Sequence, residues 1–223
     1  MAILAVTGMA SEARIARGAG IEAIVLGGPP PHRLAVLEAA IAAGVSGLVS
    51  FGIAGALDPA LVPGTILVPG AVRTDTSDVF RCHETWTANL RASLSRASAP
   101  VAAGLILGAD HIVPTRRLKR AMFAQTGAVA VDIESGAVAR MAMRTGIPFV
   151  VLRAIADPAS RDLPPAAAVG LDDDGRPALG SVLMSVAIRP WQVPALIRLA
   201  LETRRALQAL ARAADALLPS APG

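Results

Sequence analysis

Cysteine, aromatic residues and lysine are scarce in this sequence. Of 223 residues, one is cysteine (Cys82), none is tyrosine, and aromatics make up 3%. A single cysteine excludes a disulfide framework and fits a reducing compartment. So few aromatics leave little to stack against single-stranded nucleic acid. Lys119 is the only lysine among 21 basic residues. The pI of 10.8 reflects this reliance on arginine, because the net charge is only +4. The densest cationic run, Arg116, Arg117, Lys119 and Arg120, reads as a solvated helix face, so no nucleic-acid partner is expected. His83 beside Cys82 has no partner at metal-ligand spacing, and no metal site is expected.

Small apolar residues are plentiful. Hydrophobic residues are 53% of the chain, about a fifth is alanine, and mean hydropathy is +0.54. That composition excludes disorder, and the length fits one domain over 1–223. Met1 to Val6 lacks a basic start and a cleavage-like end, so no signal peptide is expected. Ala39 to Leu57 is uncharged but divides at Gly44 into a helix and a buried strand. Pro177 to Leu199 is apolar but is interrupted by Arg189, Pro190, Pro194 and Arg198, which rules out a clean span.

Hydrophobic periodicity predicts strands over Ala2–Thr7, Glu22–Leu26, Leu48–Ile53, Gly64–Val72, Val101–Leu107, Ala128–Val131 and Pro148–Ile155. It predicts helices from Ser11, as cap, to Gly18, then over Leu34–Ala43, Trp86–Arg96, Thr115–Ala124, Glu134–Arg144, Leu179–Ile188 and Val193–Leu218. Strands alternating with helices predict an α/β three-layer sandwich around a mixed, largely parallel sheet. Ligands bind such sheets at the carboxyl ends of the strands. Those ends carry Glu12, Asp75 and Asp78, Asp110 with His111, Asp132 with Glu134, and Asp157. So many carboxylates at strand ends, in a chain with 17 acids, mark the candidate site. Taken singly, each also fits a helix cap or turn, and His111 reads as structural.

Several motifs then occur in order. They are Gly8-Met9-Ala-Ser-Glu12, Ser50-Phe-Gly-Ile-Ala-Gly55-Ala-Leu followed by Pro63-Gly-Thr-Ile-Leu-Val, Ala109-Asp110 with Ile112-Val113, Val131-Asp132-Ile133-Glu134-Ser-Gly, and Arg153-Ala-Ile-Ala-Asp157. This series resembles the nucleoside phosphorylase and nucleosidase superfamily, above all the methylthioadenosine/S-adenosylhomocysteine nucleosidases. The whole chain most resembles the hopanoid-associated branch, which is assigned to release adenine from adenosylhopane.

The resemblance implies cleavage of an N-ribosidic bond. Asp157 would be the general acid to purine N7, and Glu12 the base that orients and deprotonates water. Glu134 would accept the ribose hydroxyls and stabilise the developing cation. Asp132, Ile133, Ile112, Val113, Gly52, Ile53 and Gly55 would complete the substrate site, the glycines forming a loop that brings N–H groups close to the ligand. Ile112 stands where the family stacks a Phe on the purine. Ser50 and Ile53 replace an Arg and a Ser of related phosphorylases, which favours hydrolysis. Inorganic phosphate, held by Arg73 or Arg14, stays open as co-substrate; no cofactor is implied.

The expected partners are an adenosyl small molecule or lipid, and a second copy of the chain in a homodimer or larger homo-oligomer. The expected location is cytoplasmic, with peripheral membrane contact near Trp191, where the apolar 179–199 segment would admit a lipid. That segment also fits a buried helix or a subunit interface. Three other readings remain: a methylthioadenosine/S-adenosylhomocysteine nucleosidase, a lipid-binding protein on the same fold, and a dinucleotide-binding oxidoreductase suggested by Gly52-Ile-Ala-Gly55 with Asp75 downstream.

Overall fold

The computed structural model describes residues 2–26, 30–96, 101–168, 184–186 and 188–221. Part of the apolar 179–199 stretch, residues 179–183 and Ala187, lies outside them.

A mixed sheet has helices on both faces. The first strand, β1 (Ile3–Thr7), lies parallel to β2 (Glu22–Val25) and to the first half of β3 (Gly47–Ala56). The buried strand β10 (Phe149–Asp157) runs parallel along the other edge of β3. Beyond it lie β4 (Ile66–Leu67) and β7 (Val101–Ala102). The second half of β3 pairs antiparallel with β9 (Ala130–Asp132), which leads to β8 (Leu105–Gly108), β5 (Ala71–Thr74) and β6 (Val79–Arg81). Among the described residues six of the nine pairings are parallel, the α/β arrangement expected.

Residues alternate between the two faces, as strand geometry requires. Ile3, Ala5, Val49, Phe51, Val150 and Leu152 face one apolar layer. Helices α1 (Ala10–Gly18), α3 (Glu84–Arg96), α7 (Val193–Ala214) and α8 (Leu217–Ser220) cover it. Leu4, Val6, Leu48, Val151 and Ile155 face the other, under α2 (Pro30–Ala42) and α5 (Ser135–Thr145). Helix α4 (Arg116–Thr126) closes a smaller cluster near β8 and β9. The short α6 spans Pro165–Ala168, and a 3-10 turn at Pro190–Gln192 precedes α7.

The structure corrects several expectations. Helix α1 starts one residue before Ser11 and is capped through Glu12, which accepts from Met9 N–H. The single strand expected over 64–72 is two, separated by Pro69-Gly70, because proline cannot continue a ladder. The one expected over 101–107 breaks at Gly104, whose φ of 132° no side-chain-bearing residue adopts readily. The largest change concerns Gly52 to Gly55. These residues are not a loop but the middle and end of β3. Turns follow over 57–65, so no helix opens there and the dinucleotide reading falls.

Candidate active site

The site exists because two strands end on the same edge of β3. Strand β1 pairs with β3 only through Ser50, and β9 only at Gly55 and Ala56. They approach from opposite directions, leaving the backbone between them without a strand partner. Glu12 fills that gap. Its Oε1 accepts from Ile53 N–H at 2.8 Å, and its Oε2 accepts from the N–H groups of Gly8 and Met9 at 2.9 Å each. Three of the roughly four acceptor positions of the carboxylate are thus used. Glu12 is also among the residues that line the cavity described below. Burial pushes the Glu12 carboxyl above its ordinary range, opposed by Arg153 and the three N–H groups.

Arg153 is the hub of the buried charges. It sits in the middle of β10 and is 0% exposed. Its Nε lies 2.6 Å from Asp132 Oδ2, an ion pair whose angle falls outside that of a hydrogen bond. Its Nη2 lies 3.1 Å from Glu134 Oε2 and donates to Ser50 Oγ at 2.7 Å. Asp132 also caps α5, accepting from Ser135 N–H at 3.0 Å and from the Ser135 hydroxyl. Ser50 and Ser135 share a hydrogen bond of 2.9 Å. Glu134 lacks such caps. Burial raises its carboxyl to about 7, with Arg153 pulling down and Asp132 and Glu12 pushing up. The surrounding acids raise the Arg153 pKa against its burial, so the guanidinium stays charged.

Close packing here demands glycine. A Cβ on Gly8 would collide with the Glu134 carboxylate, and one on Gly52 would lie 2.5 Å from both Glu12 Oε1 and Arg153 Nη1. Gly52 therefore sits behind the cavity wall, as spacing between two charges.

The fourth acid, Asp157, ends β10, with Oδ1 about where a Cβ on Gly55 would touch it, at 3.0 Å. Its other oxygen binds Lys119. This corrects the reading of the cationic run. Arg116, Arg117 and Arg120 are exposed, but Lys119 is 1% exposed and turns inward from α4. Burial raises the Asp157 carboxyl, and the Lys119 ammonium opposes it.

These groups border a cavity of about 820 Å³. Of the site residues that the resemblance implies, all except Gly52 line it: Glu12, Ile53, Gly55, Ile112, Val113, Asp132, Ile133, Glu134 and Asp157. Of the other strand-end acids, Asp75, Asp78 and Asp110 do not. Asp75 accepts from Asp110 N–H and so ties together the segments after β5 and β8, and Asp78 accepts from the Thr76 hydroxyl within its own turn. His111, expected to be structural, is exposed and lines the cavity. Neither Arg14 nor Arg73 lines it, so neither is placed to hold phosphate there. Sequence reasoning missed Lys119 and also Met9, Leu163 and the wall contributed by α7, which includes Leu196, Leu199 and Leu207. The signal for Lys119 is its singularity. For Arg153 it is a charge inside the most apolar strand. Among the described residues no cluster of His, Cys, Asp or Glu could hold a metal ion.

The family model of the phosphorylase superfamily matches residues 7–175 of this chain.

The chain belongs to the phosphorylase superfamily.

A 5′-methylthioadenosine/S-adenosylhomocysteine nucleosidase from Marinomonas sp. (strain MWYL1) is 30% identical over 137 residues, covering 52% of this chain and 58% of that relative. The chain thus matches little more than half the length of that relative. Among solved structures, the futalosine hydrolase of Helicobacter pylori superposes with a TM-score of 0.72 at 17% identity, covering 99% of this chain and 98% of that one. A mutant methylthioadenosine nucleosidase of the same organism, holding 5′-methylthioadenosine in its active site, superposes with a TM-score of 0.69 at 17% identity. It covers 96% of this chain and 98% of that one. These likenesses show a shared fold, the three-layer α/β sandwich of the superfamily.

Proposed function

We propose that this superfamily member is a nucleosidase that hydrolyses the N-ribosidic bond of an adenosyl compound with a large apolar 5′ substituent. Adenosylhopane is the substrate the sequence resemblance suggests, which places the reaction in hopanoid biosynthesis. One observation carries the reading: one cavity is lined both by four carboxylates and by a wall of α7 that includes Leu196, Leu199 and Leu207 beside Thr203, Arg204 and Gln208. Its size is near the upper end of the usual range for small-molecule sites, about 300–1,000 Å³, more than a bare nucleoside needs.

The residues divide the work as follows. Water attacks C1′ of the ribose, with Glu12 orienting it and taking its proton through the free acceptor position. The C–N bond breaks and its electron pair goes to the purine. Asp157 donates a proton to purine N7, so adenine leaves neutral. Glu134 accepts from the ribose hydroxyls, and its charge stabilises the oxocarbenium-like sugar. Its raised pKa means that it becomes a full carboxylate only above about pH 7.

Arg153 and Lys119, the cations nearest the four acids, are already engaged with them and so are poorly placed to hold phosphate, which supports water as the nucleophile; Arg204 also lines the cavity.

The same architecture suits a methylthioadenosine/S-adenosylhomocysteine nucleosidase, an activity carried in the names of relatives. The α7 wall favours the larger apolar group. A peripheral site at the inner membrane face is part of the proposal. No helix among the described residues is long and apolar enough to cross a membrane. However, Ile188, Trp191 (74% exposed), Ile197 and Leu201 are exposed beside the exposed Arg189 and Arg198, the composition of an interfacial surface. Flotation with anionic vesicles, lost in Trp191→Ala with Ile197→Glu, would support it. A mass-dependent dimer without flotation would assign the same face to a second copy, the homo-oligomer the resemblance implies.

The deciding experiment incubates the protein with adenosylhopane, methylthioadenosine and S-adenosylhomocysteine, with and without phosphate. Adenine and the sugar product are identified by mass. Adenine with free ribosylhopane is expected. A ribose 1-phosphate product would make the enzyme a phosphorylase, and binding without turnover would make it a lipid-binding protein.

A further inference from the structure

The chain's single lysine is spent inside the protein, at the cavity's proposed general acid. Lys119 Nζ donates to Asp157 Oδ2 and to the carbonyl oxygens of Pro158 and Arg161, both at 3.1 Å. Three donors meet three acceptors, so the ammonium is fully satisfied with all its protons in place. An exposed helix face of arginines does not require a buried lysine. Desolvating an ammonium is costly, and it persists only when paired.

We infer that Lys119 is the positioning residue of the general acid: it fixes which oxygen of Asp157 carries the proton and sets how readily that proton leaves. The inference rests on the nucleosidase reading for its chemical meaning. With Oδ2 held by Lys119, the acidic proton belongs on Oδ1, the oxygen nearest Gly55, which itself lines the cavity. In the reaction that proton passes to purine N7, and the electron pair of the O–H bond stays on Asp157 as a carboxylate. Lys119 stays hydrogen-bonded to Oδ2 and faces the charge as it forms. Without it, burial alone would act on Asp157, leaving a carboxyl that holds its proton too tightly to protonate a weakly basic purine.

Other charged groups surround Asp157 at greater distance. Arg161, on the loop after β10, donates to Glu202 of α7 at 2.6 Å. These two, with Asp162 and Arg198, border a second cavity of about 50 Å³ that also touches Asp157. Glu12, Asp132, Glu134, His111 and Arg204 line the large cavity with Asp157. Of these groups only Lys119 contacts the Asp157 carboxylate directly.

The test compares wild type, Lys119→Met and Lys119→Arg by two readouts. One is the titration of the Asp157 side-chain carbon by 13C NMR, assigned by its loss in Asp157→Asn. The other is the pH profile of adenine release. The Asp157 midpoint and the alkaline limb of kcat/KM should both move up in Lys119→Met, by about one to three pH units. The kcat should fall at least ten-fold with little change in KM, and Lys119→Arg should restore the limb in part. An Asp157 midpoint in Lys119→Met equal to wild type overturns the inference, even if activity is lost, because lost packing alone leaves a rate defect without a shifted midpoint. Should Lys119→Met not fold, the single side-chain ammonium 15N signal of the wild type decides. It must shift as Asp157 titrates, and its failure to do so overturns the inference. Failure of the nucleosidase reading shows separately, as a wild type that releases no adenine while its Asp157 still titrates as described.

Discussion

In one part of the cavity lining each acid is held by its surroundings: Glu12 by three backbone N–H groups, Asp132 and Glu134 by Arg153, Asp157 by Lys119. In another part α7 supplies Leu196, Leu199 and Leu207, apolar groups that tolerate any neighbour of similar volume. Directional contacts with no spare partner fix positions to fractions of an ångström, which proton transfer needs. Dispersion and desolvation set only size and polarity, which a substituent on the substrate needs. The same cavity is therefore rigid around its acids, where the proposed chemistry lies, and permissive along α7, where the proposed substituent would lie.

That contrast can be broken from either side. The strongest test is Asp157→Asn, which keeps the Lys119 contact as a neutral acceptor but removes the acid. Adenine release should fall by about 10²- to 10⁴-fold while thermal unfolding changes little. A near-normal rate would remove Asp157 from the chemistry. Next is Arg153→Met. It leaves Asp132 and Glu134 buried without their cation and should cost about 3–5 kcal/mol in urea unfolding. A loss below about 1 kcal/mol, the scale of an exposed pair, would mean that the hub is dispensable.

In the permissive part, Leu199→Asp should lower the preference for a long apolar 5′ substituent over a methylthio group. A roughly ten-fold drop in the ratio of kcat/KM values is expected, the scale of one apolar contact. An unchanged ratio would place the substituent elsewhere. The smallest effect is on stability. Glu12, Glu134 and Asp157 all have raised pKa values. The folded protein thus binds more protons than the unfolded chain once pH exceeds the ordinary carboxylate range. Stability should fall as pH rises from about 4.5 to about 7, the interval spanned by Glu134. Glu134→Gln should flatten that slope in a plot of Tm against pH. A slope identical to wild type would mean that Glu134 is not held protonated.

The rigid part is the legible one. Strand ends show in the alternation of apolar residues, and acids placed just after them stand out in a chain with few charges, so local pattern marks Glu12, Glu134 and Asp157 together with Asp75, Asp78, Asp110 and Asp132; the family resemblance singles out the first three. Glu12 reads as a first-turn acid. That it substitutes for a missing strand partner at Ile53 is a fact of topology, invisible to local pattern. Lys119 is easily misread, because a lysine among exposed arginines carries the same local signal whether it points in or out. The Gly52–Gly55 segment reads as a loop because glycines usually mark turns. Here they keep a strand thin between Glu12, Arg153 and Asp157. The α7 wall carries no motif at all, since leucines at helical spacing describe every packed helix.

The solitary, enclosed Lys119 also makes the folded protein almost blind to reagents that acylate side-chain amines. Such reagents can modify this chain at one side chain only, and only when Lys119 leaves its buried contacts. Mass shift at that residue over time is therefore a clock for the opening of the site. A bound substrate analogue that holds Asp157 in place should slow that clock.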